Sequence, residues 1–263
     1  MSVVTKVAGY QMRDVLRSRW LVAYAAFFLV VTDALLRFGG GGGRALLSLV
    51  NVVLFVVPLV GLVFGATYFY DAREFTELLL AQPLGRGRLF GGLLLGLAVP
   101  LALAFTVGIV APFVLHGGLT GADARTLAAL VACGIALSFV FVALAFLVAV
   151  RSDDKVRGLG AAIAIWLAFG LLYDGAVLVA VAMFADYAVE RPLLVAMLAN
   201  PVDLARVLLL LRFDAAALMG YTGAVFGRFF GGQAGAAIAS AALLAWIAVP
   251  GLLGLRAFRR KDF

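Results

Sequence analysis

Few residues of this chain could do chemistry, and most of those stand among apolar neighbours. One histidine (His116), one cysteine (Cys133) and five scattered methionines make no soft-metal ligand cluster. No nucleophile–base pair and no paired acids fall on a water-accessible segment, so the chain reads as a non-enzyme with no cofactor of its own. The run GGGGGR at 39–44 puts glycines before a cation, as a phosphate loop does. It lacks the Lys-Ser/Thr that such a loop needs and lies between two apolar runs, so it reads as a flexible connector.

Three polar groupings do carry a physical rationale. The first is the connection at 71–88, DAREFTELLLAQPLGRGR. Arg73, Glu74 and Glu77 fall within about one helical turn, and Leu78, Leu79 and Leu80 follow. Pro83 stops a helix there, and Gly85 and Gly87 permit a tight turn. The result is a short helix across one membrane face, fit either to dock in a partner's groove or to serve as an ordinary amphipathic linker. The second is Asp174 beside Tyr173, inside an apolar run. An ionisable residue in a span faces protein or water and marks a functional site by default. A structural hydrogen bond near the outer interface is the competing reading, with an outer-loop arginine or a tyrosine hydroxyl as the partner. Asp33, late in the first span, reads as structural and close to the outer surface. The third is Asn200-Pro201-Val202-Asp203, with Arg206 one turn on. Asn before Pro starts a helix, and Asp203 in the first turn complements its dipole.

The elements that must position these groups are membrane helices. The chain has 263 residues, 65% hydrophobic and 13% charged, with a mean hydropathy of +1.12. Continuous apolar runs of about 20 residues cross a bilayer as helices, and their lack of alternation speaks against a β-barrel. Six spans are expected, near 20–36, 45–70, 89–115, 127–150, 159–185 and 234–255. The first is expected to be retained rather than cleaved as a signal peptide. With the N-terminus inside, 14 of the 21 basic residues fall on the inner side and seven on the outer, while the 14 acids divide evenly. The positive-inside rule then places both termini in the cytoplasm of a multi-pass inner-membrane protein. The surplus charge reads as orientation and attraction to lipid headgroups, not nucleic-acid binding.

Residues 3–19 are expected to form an interfacial helix, with Val4, Ala8, Met12, Val15 and Leu16 on one face and Lys6, Arg13 and Arg17 on another. The connection at 186–233 holds two short apolar helices, too short to cross. They are expected to dip into the outer leaflet as a re-entrant hairpin packed on other spans, or else to lie on the outer headgroups. Tyr221, Phe226, Phe229 and Phe230 belong at that interface. The glycines at 91, 92 and 96, at 158 and 160, and at 231, 232 and 235 read as packing positions, with Gly92-x-x-x-Gly96 matching a close-approach pattern.

This layout resembles the permease subunits of the ABC-2 family of ATP-binding-cassette transporters. The family's inner loop, E-x-x-G-T-L-x-x-L-L-x-x-P-hydrophobic-x-R, resembles this stretch in Glu74, Thr76, Leu79, Leu80, Pro83, Leu84 and Arg86, with Glu74 and Thr76 set closer to Pro83 than in the pattern. Phe75 and Glu77 depart from it. The ending at 255–263 is similar to the family's F-R-R-x-D tail. The segments 83–88 and 200–206 are similar to the branch that serves an ABC complex maturing nitrous oxide reductase, a copper enzyme. The resemblance implies a single permease domain over 1–263 and a homodimer. It also implies two separate ATPase subunits, which carry ATP and Mg and bind the loop around Arg73, Glu74, Thr76, Glu77, Leu79, Leu80, Pro83 and Arg86. The charged inner loop at 151–157 is a second, smaller contact or a plain anchor. A periplasmic or extracellular partner that receives work through the outer hairpin (Asn200, Pro201, Asp203, Arg206) is a further expectation. The alternatives are an ABC-2 exporter of a lipid, drug or polymer, and an ATP-independent proton-coupled carrier or channel that uses Asp174.

Overall fold

A computed structural model describes residues 3–81, 85–117, 121–184, 190–210 and 233–261. Helices account for nearly all of these, and no strand occurs among the described residues. In chain order they are α1 (Val3–Leu16), α2 (Arg19–Phe38), α3 (Gly42–Asp71), α4 (Arg73–Leu80), α5 (Arg86–Leu115), α6 (Gly121–Arg151), α7 (Lys155–Leu167), a π-helical turn (Ala168–Leu172), α8 (Tyr173–Met183), α9 (Glu190–Leu198), α10 (Pro201–Leu210) and α11 (Gln233–Arg260). Six helices are long and apolar enough to cross a membrane: α2, α3, α5, α6, the continuous α7–α8 helix and α11. They match the six expected spans, and most overrun them by a few residues. The helix at α6 begins at Gly121, before its apolar run, with Asp123 in the first turn where it complements the dipole.

The bundle is built around α6, which packs against α3, α5, α10 and α11. Leu137, Val140, Phe141, Ala145 and Phe146 of α6 are fully buried. Lipid is as apolar as leucine, so spans associate by close packing and not by a hydrophobic force between them. The tight seam here is Gly61-x-x-x-Gly65 of α3. A Cβ at Gly65 would lie 2.5 Å from the Ala145 Cβ, and one at Gly61 would lie 3.0 Å from the Phe141 Cβ. Gly92 and Gly96 are also buried, on α5. Gly158 meets the Tyr70 side chain closely, whereas Gly91 and Gly160 face open space; Gly231 and Gly232 lie outside the described residues.

The connector between α2 and α3 is shorter than the GGGGGR run, because Gly42 and Gly43 already belong to α3. Gly40 and Gly41 have φ of 78° and 120°. That left-handed backbone is where a side chain is disfavoured, so the glycines make a tight turn possible. At the other end of the bundle, the rings of Phe69, Phe90, Phe146 and Phe258 gather, with Phe90 5.4 Å from Phe258 and 5.8 Å from Phe146. They seat the end of α11 against α3, α5 and α6.

Burial is uneven. Two thirds (67%) of the α6 apolar window is covered by protein, against 6% for α7–α8. Leu171, Leu172, Leu178, Val179 and Met183 therefore face outward from this edge.

An N-terminal helix forms, ending at Leu16 short of the expected residue 19, and its buried positions differ from the expected apolar face. Among its described side chains Gln11 and Val15 are buried, Leu16 is exposed, and Arg13 and the following Arg17 are exposed as the pattern requires. It packs along α5, and Gln11 accepts a hydrogen bond from the Tyr68 hydroxyl. A polar anchor to α3 thus replaces a purely apolar face. The side chains of Val4, Lys6 and Ala8 lie outside the described residues.

Candidate functional site

The short helix expected at 71–88 is α4. It follows α3 after a single residue, Ala72, whose carbonyl receives both the Thr76 amide at 2.9 Å and the Thr76 hydroxyl at 2.7 Å. This back-bond ties α4 to the junction residue, and Thr76 is itself buried. Leu79 and Leu80 pack on the core. Glu74, Glu77, Leu78 and Ala81 are exposed, at helical spacings of three and four. The free face of α4 is therefore two carboxylates flanking a leucine that is 70% exposed. Arg73 does not add to that face as a free cation, because its Nε bonds Glu77 at 3.1 Å. At this exposure the pair contributes about 0.3–0.5 kcal/mol. The helix ends at Leu80, ahead of Pro83, which lies outside the described residues together with Gln82 and Leu84.

Both ends of the α4 connection are tied to neighbouring elements. Asp71 takes a 2.6 Å hydrogen bond from Lys155 of α7. Arg86 donates to the carbonyls of Arg259 and Lys261 at 2.8 and 3.0 Å. Gly87 gives the room for this, since a Cβ there would lie 2.7 Å from an Arg259 guanidinium nitrogen. Arg86, grouped with the docking residues in the sequence, instead caps the end of α11. Lys261 in turn bonds Asp153 at 2.7 Å and the Val150 carbonyl at 2.8 Å, and it holds the Asp153 carboxyl below its usual range. Asp154 caps α7 through the Val156 and Arg157 amides. The loop at 151–157 is thus an anchor tied to the tail. Asp262 and Phe263 lie outside the described residues.

At the opposite end, the polar groups of span five converge on α9 and α10. Arg206 donates to Asp174 and to Asp203, each at 2.8 Å. Of the two partners foreseen for Asp174, the hairpin arginine is the one present. Tyr173 bonds the Ala196 carbonyl of α9 instead. Asn200 is fully buried. Its Oδ1 accepts the Val202 amide at 2.9 Å, starting α10, and its Nδ2 donates to the Phe169 carbonyl at 3.0 Å. That carbonyl belongs to the π-helical turn, where the backbone ladder is irregular and a side chain can reach it. Trp246 of α11 adds a bond to the Leu198 carbonyl at 3.0 Å. Burial raises the Asp203 carboxyl, as does Asp174 beside it; Arg206 opposes the shift. Two carboxylates share one guanidinium, so one shared proton neutralises the cluster. The buried side of α10 includes Val202, Leu204, Ala205, Val207 and Leu209, so the helix packs against α3, α6 and α11. The remainder of the connection, with Tyr221, Phe226, Phe229 and Phe230, lies outside the described residues.

Asp33 pairs with Arg37 at 2.8 Å and faces His116 at 3.6 Å, which joins the ends of α2 and α5. The sequence patterns did not signal Lys155, Lys261 or Trp246 as tie points; only their contacts across the fold do. Among the described residues, no three His, Cys, Asp or Glu side chains gather to hold a metal.

A family described as "ABC-2 family transporter protein" matches residues 5–263. A protein of Pseudomonas aeruginosa named "Probable ABC transporter permease protein NosY" is 32% identical over 244 residues, covering 84% of this chain and 86% of the relative. One of the same name from Stutzerimonas stutzeri is 28% identical over 281 residues, covering 99% of each chain.

Proposed function

The chain belongs to the ABC-2 family and is the multi-pass permease subunit of an ABC transporter; from that premise, we propose that α4 is the element through which a separate ATPase drives it. The exposed Glu74–Glu77–Leu78 face carries this reading. It is short, rigid and acidic, it is continuous with α3 through the Thr76 junction, and both ends of its connection are anchored. A push on α4 therefore passes into α3 directly, into α7 through Asp71–Lys155, and into α5 and α11 through Arg86. Two copies of the chain and two ATPase subunits make the working unit, and ATP and Mg belong to the ATPase. Both termini and α4 lie on the cytoplasmic side of the inner membrane.

The NosY names of the relatives, with the similar segments at 83–88 and 200–206, support a role in maturing the copper site of nitrous oxide reductase. One structural feature favours work delivered outward rather than a solute carried. Tyr173, Asp174 and the π-helical turn of span five, with Trp246 of span six, all bind the α9–α10 hairpin, so movement of those spans moves the hairpin. Gentle purification from native membranes, with mass spectrometry of what accompanies the chain, tests the reading. A stoichiometric ATPase and an exported partner are expected. A chain that comes alone and supports a flux without ATP would sink it.

A further inference from the structure

Near the α4 end, α1 and α2 both pack on α5, and residues of α1, α2, α3, α4 and α5 line a gap. The gap is a cavity of about 670 Å³. Drug-sized ligands occupy pockets of roughly 300–1,000 Å³, and apolar-lined cavities do not hold water well. Its walls differ in chemistry and exposure. Leu97 and Leu101 are buried, Val63 and Ser18 half-buried, and Asp14 and Asp71 exposed. The rings of Trp20 and Phe64 stand 6.3 Å apart, tilted by 59°, and Phe75 of α4 is also in the lining. This combination, exposed acids with a buried apolar lining, fits an amphiphile.

The charge selects which one. Asp71 is already bound to Lys155. Asp14 makes no ion pair among the described residues and is exposed. A free carboxylate beside aromatic faces attracts an ammonium group and repels an anionic headgroup. A primary ammonium can also donate to the Ser18 hydroxyl, which a trimethylated one cannot. Arg17, exposed just past the end of α1 and three residues from Asp14, is a nearby cation for the adjoining phosphate. We infer that this cavity binds one phosphatidylethanolamine molecule from the leaflet on the α4 side, its amine at Asp14 and an acyl chain between α2 and α3. Because Ala72 and Phe75 also line the cavity, the lipid supports α4 from behind, a consequence that rests on the reading of α4 given above; the binding itself does not.

The test is native mass spectrometry of the full chain taken from vesicles of phosphatidylethanolamine and phosphatidylglycerol, with and without its ATPase. Wild type is expected to retain one phosphatidylethanolamine per chain and to shed phosphatidylglycerol. Asp14→Asn, an exposed change that leaves packing untouched, is expected to retain about tenfold less, as for loss of a charged hydrogen bond at a wet site. Asp123→Asn, at the other end of the bundle, should match wild type. Equal retention of the two lipids, retention unaffected by Asp14→Asn, or a lipid-free pair of chains cross-linked through Trp20 would each overturn the assignment. Loss of ATPase binding with lipid retention intact would count against the role of α4 alone.

Discussion

Replacing Arg206 with alanine is expected to release the outer hairpin from span five. Arg206 holds Asp174 and Asp203 at 2.8 Å each, and the three side chains are 26%, 37% and 13% exposed. A hydrogen bond to a charged group contributes about 1.5–3 kcal/mol. The Asp174 arm is the wetter and belongs at the lower end. The Asp203 arm is more buried, and its loss leaves a carboxyl without a cation in a dry site, which costs more than the bond alone. The two lower ends already sum to about 3 kcal/mol, or roughly a hundredfold in the opening equilibrium at 1.4 kcal/mol per tenfold. Hydrogen exchange of the α10 amides, on protein in lipid nanodiscs, reads that equilibrium. Arg206→Ala should lower their protection about a hundredfold, while α3 and α6 stay protected. Adding Asp203→Asn removes the orphaned charge and should recover most of the loss. Unchanged protection in the single variant, or no recovery in the double, would refute the claim that the cluster fastens the hairpin.

The same cluster predicts a pH dependence. The Asp203 carboxyl is raised, by burial first, to about 7 in the folded chain, against about 3.9 unfolded. Between those values the folded state binds the extra proton, so the stabilisation is fully present at acid pH and is lost as pH rises through the folded value. Protection of α10 should therefore fall as pH rises from about 4 to about 7, level off above that, and be flat in Asp203→Asn.

Gly65→Val should disrupt the α3–α6 seam by about 1–3 kcal/mol of overpacking, read as a lower midpoint of thermal unfolding in detergent, while Gly160→Ala, facing open space, should leave it unchanged. Glu74→Lys with Glu77→Lys reverses the charge of the free α4 face; ATPase copurification should be lost while thermal stability holds, and retained copurification would exclude that face as the contact. Arg86→Ala should raise hydrogen exchange over the last turn of α11 without altering α4 itself, a result distinct from loss of docking.

Much of the fold was legible because lipid imposes simple rules. Length and apolarity alone define a span, so six spans, the α4 segment and the Asn200 start of α10 followed from local pattern. The break between α3 and α4 at Ala72 did not. Thr76 reads as part of a family motif in sequence, yet its role depends on the carbonyl four residues back being where the chain turns. Local pattern also failed for the faces. Grouping Leu16 with Val15 by polarity ignored that a lipid-facing leucine costs nothing, so apolarity cannot say which side of α1 meets protein. The glycines follow the same logic. With 30 in the chain, Gly61-x-x-x-Gly65 and Gly92-x-x-x-Gly96 look alike until Ala145 is known to lie opposite the first.

The ion pairs separate what a sequence can hold from what only a fold supplies. Arg73–Glu77 and Arg37–Asp33 are four apart on one helix, and helical periodicity finds them. Asp71–Lys155, Arg206–Asp174 and Arg86 with the carbonyls of α11 join residues from different helices. These are also the bonds that decide how movement travels, because a pair within one helix constrains nothing outside it. The residues most informative about mechanism are therefore those whose partners are remote. Arg86 is the clearest example. By motif it belongs to the docking loop, and by position it is the clamp through which that loop holds the end of the last span. If the clamp transmits force, Arg86→Ala should leave the ATPase bound and its hydrolysis intact. The distance between spin labels on α4 and the end of α11 should then broaden and stop responding to ATP. A distance that still switches with ATP in that variant would mean that α11 follows α5 or α6 through packing alone, and would remove Arg86 from the path.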